Sequence, residues 1–77
     1  MKDERLLKRI VVDPKIMIGK PVIKGTRLTV EIILEKVAYG ESMEEIKKAY
    51  PFITDDDIKA ALLYAARRIA HEEVYAA

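Results

Sequence analysis

The stretch Gly19-Lys20-Pro21-Val22-Ile23-Lys24-Gly25-Thr26-Arg27-Leu28-Thr29-Val30-Glu31-Ile32-Ile33-Leu34-Glu35-Lys36-Val37 changes its period at Thr29. Before Thr29, two short β-prone runs flank the loop Lys24-Gly25, the pattern of a hairpin. After it, Val30, Ile33, Leu34 and Val37 recur at i, i+3, i+4 and i+7, which is one face of a helix. Thr29 is a suitable N-cap and Gly40 a suitable stop, so a first helix is predicted over residues 30–39. Strands this short need a further strand or a helix to lie on.

Towards the C-terminus, Ser42-Met43-Glu44-Glu45 is a capping-box pattern. Met43, Ile46 and Ala49 or Tyr50 supply its apolar side, and Pro51 ends the segment, giving a second helix over 43–49. Thr54-Asp55-Asp56-Asp57 is another box-like start, with carboxylates where the helix dipole favours them. Ile58, Ala61, Leu62, Ala65 and Ile69 follow at helical spacing, and no Gly or Pro interrupts them. A third helix is predicted over 55–74.

Towards the N-terminus, Ile16-Met17-Ile18 is an apolar run that Gly19 breaks. Asp13-Pro14 is a turn signal, and Ile10-Val11-Val12 is a β-branched run. Residues 1–9 are charged, with Leu6 and Leu7 as anchors for an arm or a short helix. The reading is one domain over 1–77: an arm (1–9), a short β-hairpin region (10–28) and a three-helix part (29–77). It is mainly α with a short N-terminal β element.

The chain has 77 residues, 51% of them hydrophobic and 35% charged, and no cysteine. A chain this short buries only roughly 60% of its unfolded surface, and no disulfide or thiolate zinc site is available to staple it. A homodimer is the expected remedy. No apolar run approaches the ~18 residues of a membrane span, and no apolar signal segment follows Met1–Arg5, so a cytoplasmic protein is expected.

The predicted third helix has more than one face to account for. Leu63, Ala66, Ala70 and Val74 form a second apolar stripe, about 120° from the core stripe at 3.6 residues per turn. Either the N-terminal region covers that stripe or a second copy does. Tyr64, Arg68, His71 and Tyr75, with Arg67 beside them, form a third face. Such a mixture suits a partner-binding surface, and a solvated face has the same composition.

Catalysis is not expected. His71 is the single histidine and shares no helix face with Glu72 or Glu73. The three glycines form no phosphate-binding pattern. Asp55, Asp56 and Asp57 point in different directions on a helix, so a capping role is preferred to a metal site. Ser42 is used as a cap. Neither a cofactor nor a metal is expected.

Charge is unevenly placed. Residues 1–27 carry eight basic and three acidic side chains, and residues 28–77 carry six basic and ten acidic. The second helix, a four-residue turn and the third helix resemble a helix-turn-helix. Its third helix begins with three aspartates, however, which oppose phosphate. If DNA is bound, Lys15, Lys20, Lys24 and Arg27 are the better candidates, with the Arg67–Arg68 face next.

Several of these residues recur together elsewhere. Asp13-Pro14, the run from Gly19 to Arg27, Gly40, Ser42 and Glu45, Tyr50-Pro51, Thr54 with Asp57-Ile58, Ala60-Ala61-Leu62 and Tyr64-Ala65 resemble the small prokaryotic proteins grouped as domain of unknown function family 433. The resemblance covers about residues 9–66. It implies a homeodomain-like three-helix part. It also implies a VapB-like antitoxin that binds a PIN-like nuclease toxin, with operator DNA as a further partner. A protein-only interaction module and a DNA-binding regulator without a toxin are the alternatives. The family carries no established functional residues to transfer, so the Gly19–Arg27 signature reads either as a turn scaffold or as a phosphate- or partner-binding loop.

Overall fold

A computed structural model describes the backbone of residues 2–76 and the side chains of residues 3–70. In chain order it holds α1 (Lys2–Leu7), β1 (Ile10–Val11), a 3₁₀ turn at Met17–Gly19, β2 (Val22–Ile23), α2 (Val30–Ala38), α3 (Met43–Ala49) and α4 (Asp55–Ala76). The fold is mainly helical, with a two-stranded antiparallel sheet near the N-terminus. Among the described residues, no helix is long and apolar enough to cross a membrane.

Local chemistry sets the starts of α2, α3 and α4. The Thr29 hydroxyl accepts from the Ile32 N–H at 3.3 Å and opens α2. At α3, Ser42 Oγ accepts from the Glu45 N–H (3.1 Å) and Glu45 Oε1 from the Ser42 N–H (2.8 Å), so both exposed donors are satisfied. At α4 the box is built from Thr and Asp. Thr54 Oγ1 accepts from the Asp57 N–H (3.2 Å), and Asp57 Oδ2 accepts from the Thr54 N–H (2.9 Å). Past α2, Gly40 sits at φ +86, the left-handed position that lets a chain leave a helix without a Cβ clash.

The core lies where these helices meet the short sheet. Ile33, Ile46 and Ile58, one from each of α2, α3 and α4, are fully buried. Ile23, Leu28, Val30, Ile53 and Ala61 complete the cluster. Burying a branched side chain of this size stabilises the fold by about 1.5–3 kcal/mol. Both α1 and α2 pack on α4. α1 and the turn after it contact the α4 face that holds Asp56 and Arg67: Arg67 Nη2 donates to Asp3 Oδ2 at 2.7 Å, and Arg9 Nη2, two residues past α1, lies 3.7 Å from Asp56 Oδ2. Ala60, on that same face, is fully buried.

Two expectations need correction. The first concerns the hairpin. Its turn forms, with Thr26 N–H on the Ile23 carbonyl at 3.0 Å, and its return side bonds back to β2, Ile23 N–H to the Leu28 carbonyl at 3.0 Å and Val30 N–H to the Pro21 carbonyl at 2.9 Å, but residues 26–28 form no regular strand, and the strand paired with β2 is Ile10–Val11 on its other edge. Thr26 is one physical reason that no strand forms there. Its hydroxyl donates to the Ile23 carbonyl and accepts from the Leu28 N–H, so local side-chain bonds compete with a second strand. A single bridge, Val22 to Thr29, remains on that side. The second concerns Ile69, placed in the predicted core stripe but 58% exposed. At 1.5 Å per residue, the 22 residues of α4 outrun the nine of α2 packed beside it.

Candidate functional site

The start of α2 and the middle of α4 leave a groove of about 240 Å³ between them. Pro21, Val30, Leu34, Tyr64, Ala65 and Ile69 form its walls, with Lys20, Glu31 and Arg68 at the rim. Tertiary packing thus brings Lys20, from the basic segment, to the same place as Tyr64 and Arg68. Lys20 Nζ lies 2.7 Å from Glu31 Oε1. Both side chains are more than half exposed, so the pair orients Lys20 more than it stabilises the fold. The groove suits an apolar side chain of a partner, with a carboxylate nearby for Arg68.

The remaining site residues separate. Arg67 turns away from the groove to Asp3. Leu63 is half-buried, while Ala66 and Ala70 are exposed. The side chains of His71, Val74 and Tyr75 lie outside the described residues. Lys15, Lys24 and Arg27 are exposed around the turns on either side of β2. A shallow depression there is lined by Ile16, Gly25, Thr26 and Arg27, so the two turns are neighbours.

The three aspartates at the start of α4 take separate partners. Asp55 Oδ1 lies 2.7 Å from Lys47 Nζ, Asp56 faces Arg9, and Asp57 Oδ1 accepts from Arg9 Nη1 at 3.1 Å. The hydrogen bond from Lys47 holds the Asp55 carboxyl below its ordinary range and raises the Lys47 ammonium in return. The Ser42 backbone N–H, then its hydroxyl, lower the Glu45 carboxyl in the same way. These are capping carboxylates with internal counter-ions. The start of α4 is therefore less repulsive to phosphate than its sequence implies, though not attractive.

Sequence reading missed one further grouping. Arg5, Leu6, Arg9, Asp56 and Lys59 line a cleft between α1 and α4. The i, i+4 spacing of Arg5 and Arg9 was its only local signal.

Comparisons with known proteins bear on the family and the fold. The chain is 38% identical over 52 residues to uncharacterized protein y4eO of Sinorhizobium fredii, a match covering 68% of this chain and 24% of that protein. It spans about a quarter of that relative's length. An uncharacterized protein of Archaeoglobus fulgidus is 64% identical over 25 residues, which is 32% of this chain and 69% of that one. The crystal structure of a DUF433 member protein from Anabaena variabilis superposes with a TM-score of 0.76 at 24% identity, covering 94% of this chain and 71% of that one. That likeness speaks to the fold. The profile of the family described as "Protein of unknown function (DUF433)" matches residues 10–65, including both strands, α2, α3 and the first half of α4. The chain therefore belongs to the DUF433 family.

Proposed function

We propose that this protein is a non-catalytic antitoxin, acting in the cytoplasm, that seats a PIN-like nuclease on the α2–α4 groove and binds its own operator DNA. The groove carries the protein-binding part of this reading: an apolar floor with Tyr64 and Arg68 beside it. A PIN-like active site is a cluster of metal-binding carboxylates. An Arg guanidinium can pair with such carboxylates in a two-pronged fork and displace the metal. Tyr64 adds apolar area at low entropic cost.

The test is co-purification of a PIN-like nuclease encoded beside this reading frame. Arg68→Ala and Tyr64→Ala should each lose the complex while keeping the wild-type circular dichroism spectrum. Arg67→Ala should keep it, because Arg67 is turned to Asp3. Equal retention by all three variants would place the nuclease elsewhere.

The DNA part of the reading is supported by a second observation, the exposed Lys15, Lys24 and Arg27 around neighbouring turns. Removing Lys24 should weaken binding to all sequences alike and flatten the salt slope by about one unit, as loss of a phosphate contact does. Absence of any salt-dependent gel shift on upstream DNA would leave the protein-only module.

A further inference from the structure

Met17, Ile18 and Gly19 have φ of +49, +57 and +80. Three successive left-handed residues make one reversed turn, and a β-branched side chain such as Ile18 is a poor occupant of it. The turn is nonetheless well held. The Asp13 carbonyl accepts from the Ile16 N–H at 2.8 Å, the Ile16 carbonyl from Gly19 at 3.1 Å, and the Met17 carbonyl from Lys20 at 3.1 Å. Its tip is apolar and faces water: Ile18 is 94% exposed and Met17 40%. Backbone strain and lost apolar burial at one place, in a segment this well bonded, call for a compensating role outside the monomer.

The surroundings of the tip select the partner. Between Asp13 and Glu31 the chain carries Lys15, Lys20, Lys24 and Arg27 and no acidic residue. The two bounding carboxylates are engaged, Asp13 with the Lys15 N–H and Glu31 with Lys20. Arg27 stands beside Ile16, at the base of the turn. A second copy meeting this one tip to tip would bring the same positive charge and be repelled. A fluid bilayer rewards apolar area, and two side chains supply little. Stacked bases require a small apolar wedge held rigidly between phosphate-binding cations, and Ile and Met are among the side chains that serve.

From this we infer that the Met17–Ile18 turn is a wedge for double-stranded DNA. Ile18 enters the minor groove and partly unstacks a base step while Lys15, Lys24 and Arg27 hold the flanking phosphates. The inference rests on the DNA part of the reading above and adds to it the groove, the inserting residue and a bend in the duplex. Pyrimidine–purine steps such as TA, being the easiest to kink, are the preferred targets.

The experiment uses the full chain and an end-labelled duplex of about 20 base pairs with a central TA step, a length on which bends are measurable. Anisotropy reports affinity, and energy transfer between the ends reports bending. Wild type should bind and shorten the end-to-end distance. Ile18→Gly suits the left-handed backbone and so keeps the fold; it should lose about tenfold or more in affinity, the scale of one buried branched side chain, together with the bend. Lys24→Ala should lose affinity but keep the bend. An Ile18→Gly variant that binds and bends like wild type would overturn the wedge and leave DNA binding standing. A wild type that binds no duplex at low salt would overturn both. Tighter binding of wild type to phosphatidylserine vesicles than to duplex, or a change of molecular mass in Ile18→Gly, would also overturn it in favour of a membrane or a second copy.

Discussion

Arg9 and Asp57 meet at 3.1 Å although they lie 48 positions apart, and the contact fastens the beginning of β1 to the first turn of α4. Asp57 is also the N3 partner of the α4 capping box, so one carboxylate serves the helix start with Oδ2 and the arginine with Oδ1. The Arg9 carbonyl in turn accepts from the Lys24 N–H at 2.7 Å, which ties in the loop after β2. Asp57→Ala removes the cap and orphans part of the Arg9 bonding. A loss of about 1–2 kcal/mol is expected. Arg9→Ala should cost less, since its side chain is 41% exposed, and the double variant should cost less than the two singles added together. Urea denaturation of the four proteins checks this.

Ile18→Gly should raise stability. Left-handed backbone costs an L residue ~1–2 kcal/mol, while a glycine loses about 0.5–1 kcal/mol in chain entropy on folding, leaving a net gain of about 0.5–1 kcal/mol. A higher urea midpoint with an unchanged slope would show it. An unchanged or lower midpoint would mean that the reversed turn is not strained.

Two alanines on α4 should behave differently. Ala60 is fully buried, so Ala60→Leu should cost about 1–3 kcal/mol by overpacking. Ala66 is exposed, and in a monomer Ala66→Glu should change stability by no more than about 0.5 kcal/mol. A larger fall in melting temperature, together with a smaller mass by light scattering, is the outcome expected of a homodimer that uses this part of α4. A wild type that is already monomeric at micromolar concentration would remove that dimer.

Acid should loosen the starts of α3 and α4 first. Glu45 and Asp55 are both held below their ordinary values of 4.5 and 3.8. A depressed carboxyl contributes stability above its unfolded pKa and loses it as pH falls through the folded value. The Lys47 ammonium, raised above 10.5, contributes below that value and loses its share as pH rises beyond it. Both groups of the Lys47–Asp55 pair are exposed, so the effect is small and screened by salt. Lys47→Met should flatten the acid limb of a stability–pH curve, and Glu45→Gln should flatten it further. An acid limb unchanged in both variants would show that other carboxylates govern it.

The helix starts were legible because capping is local: Thr29, Ser42 and Thr54 each bond to a backbone N–H three positions away. The reversed turn was not legible, since no short-range rule places Met17 and Ile18 at positive φ. Nor was the β1–β2 pairing. It joins Ile10 to Ile23 and Val11 to Val22 across an intervening loop, on the edge of β2 opposite to the Lys24-Gly25 turn, and no short-range pattern specifies a partner for that edge. For the groove, the Tyr64 and Arg68 half was visible as a helix face. Lys20 joined it through tertiary packing, and Arg67 left it for Asp3, because α1 lies along α4 in a way that charge patterning alone does not specify.

The sheet consists of β1 and β2, and among the described residues the outer rim of β1 has no partner. Unpaired N–H and C=O groups on such a rim can template a foreign strand, and Val12, 55% exposed, continues the β-branched run. The chain brackets this hazard with gatekeepers: Lys8-Arg9 stands on one side, and Asp13-Pro14 on the other. Proline cannot donate to a growing ladder, and the charges penalise stacking of identical segments. Four residues thus flank the open edge of a two-residue strand. Replacing Asp13 and Pro14 with valines would join residues 10–14 into an uninterrupted sticky segment, and fibrillar aggregation would replace the folded state as the protein's main fate at high concentration.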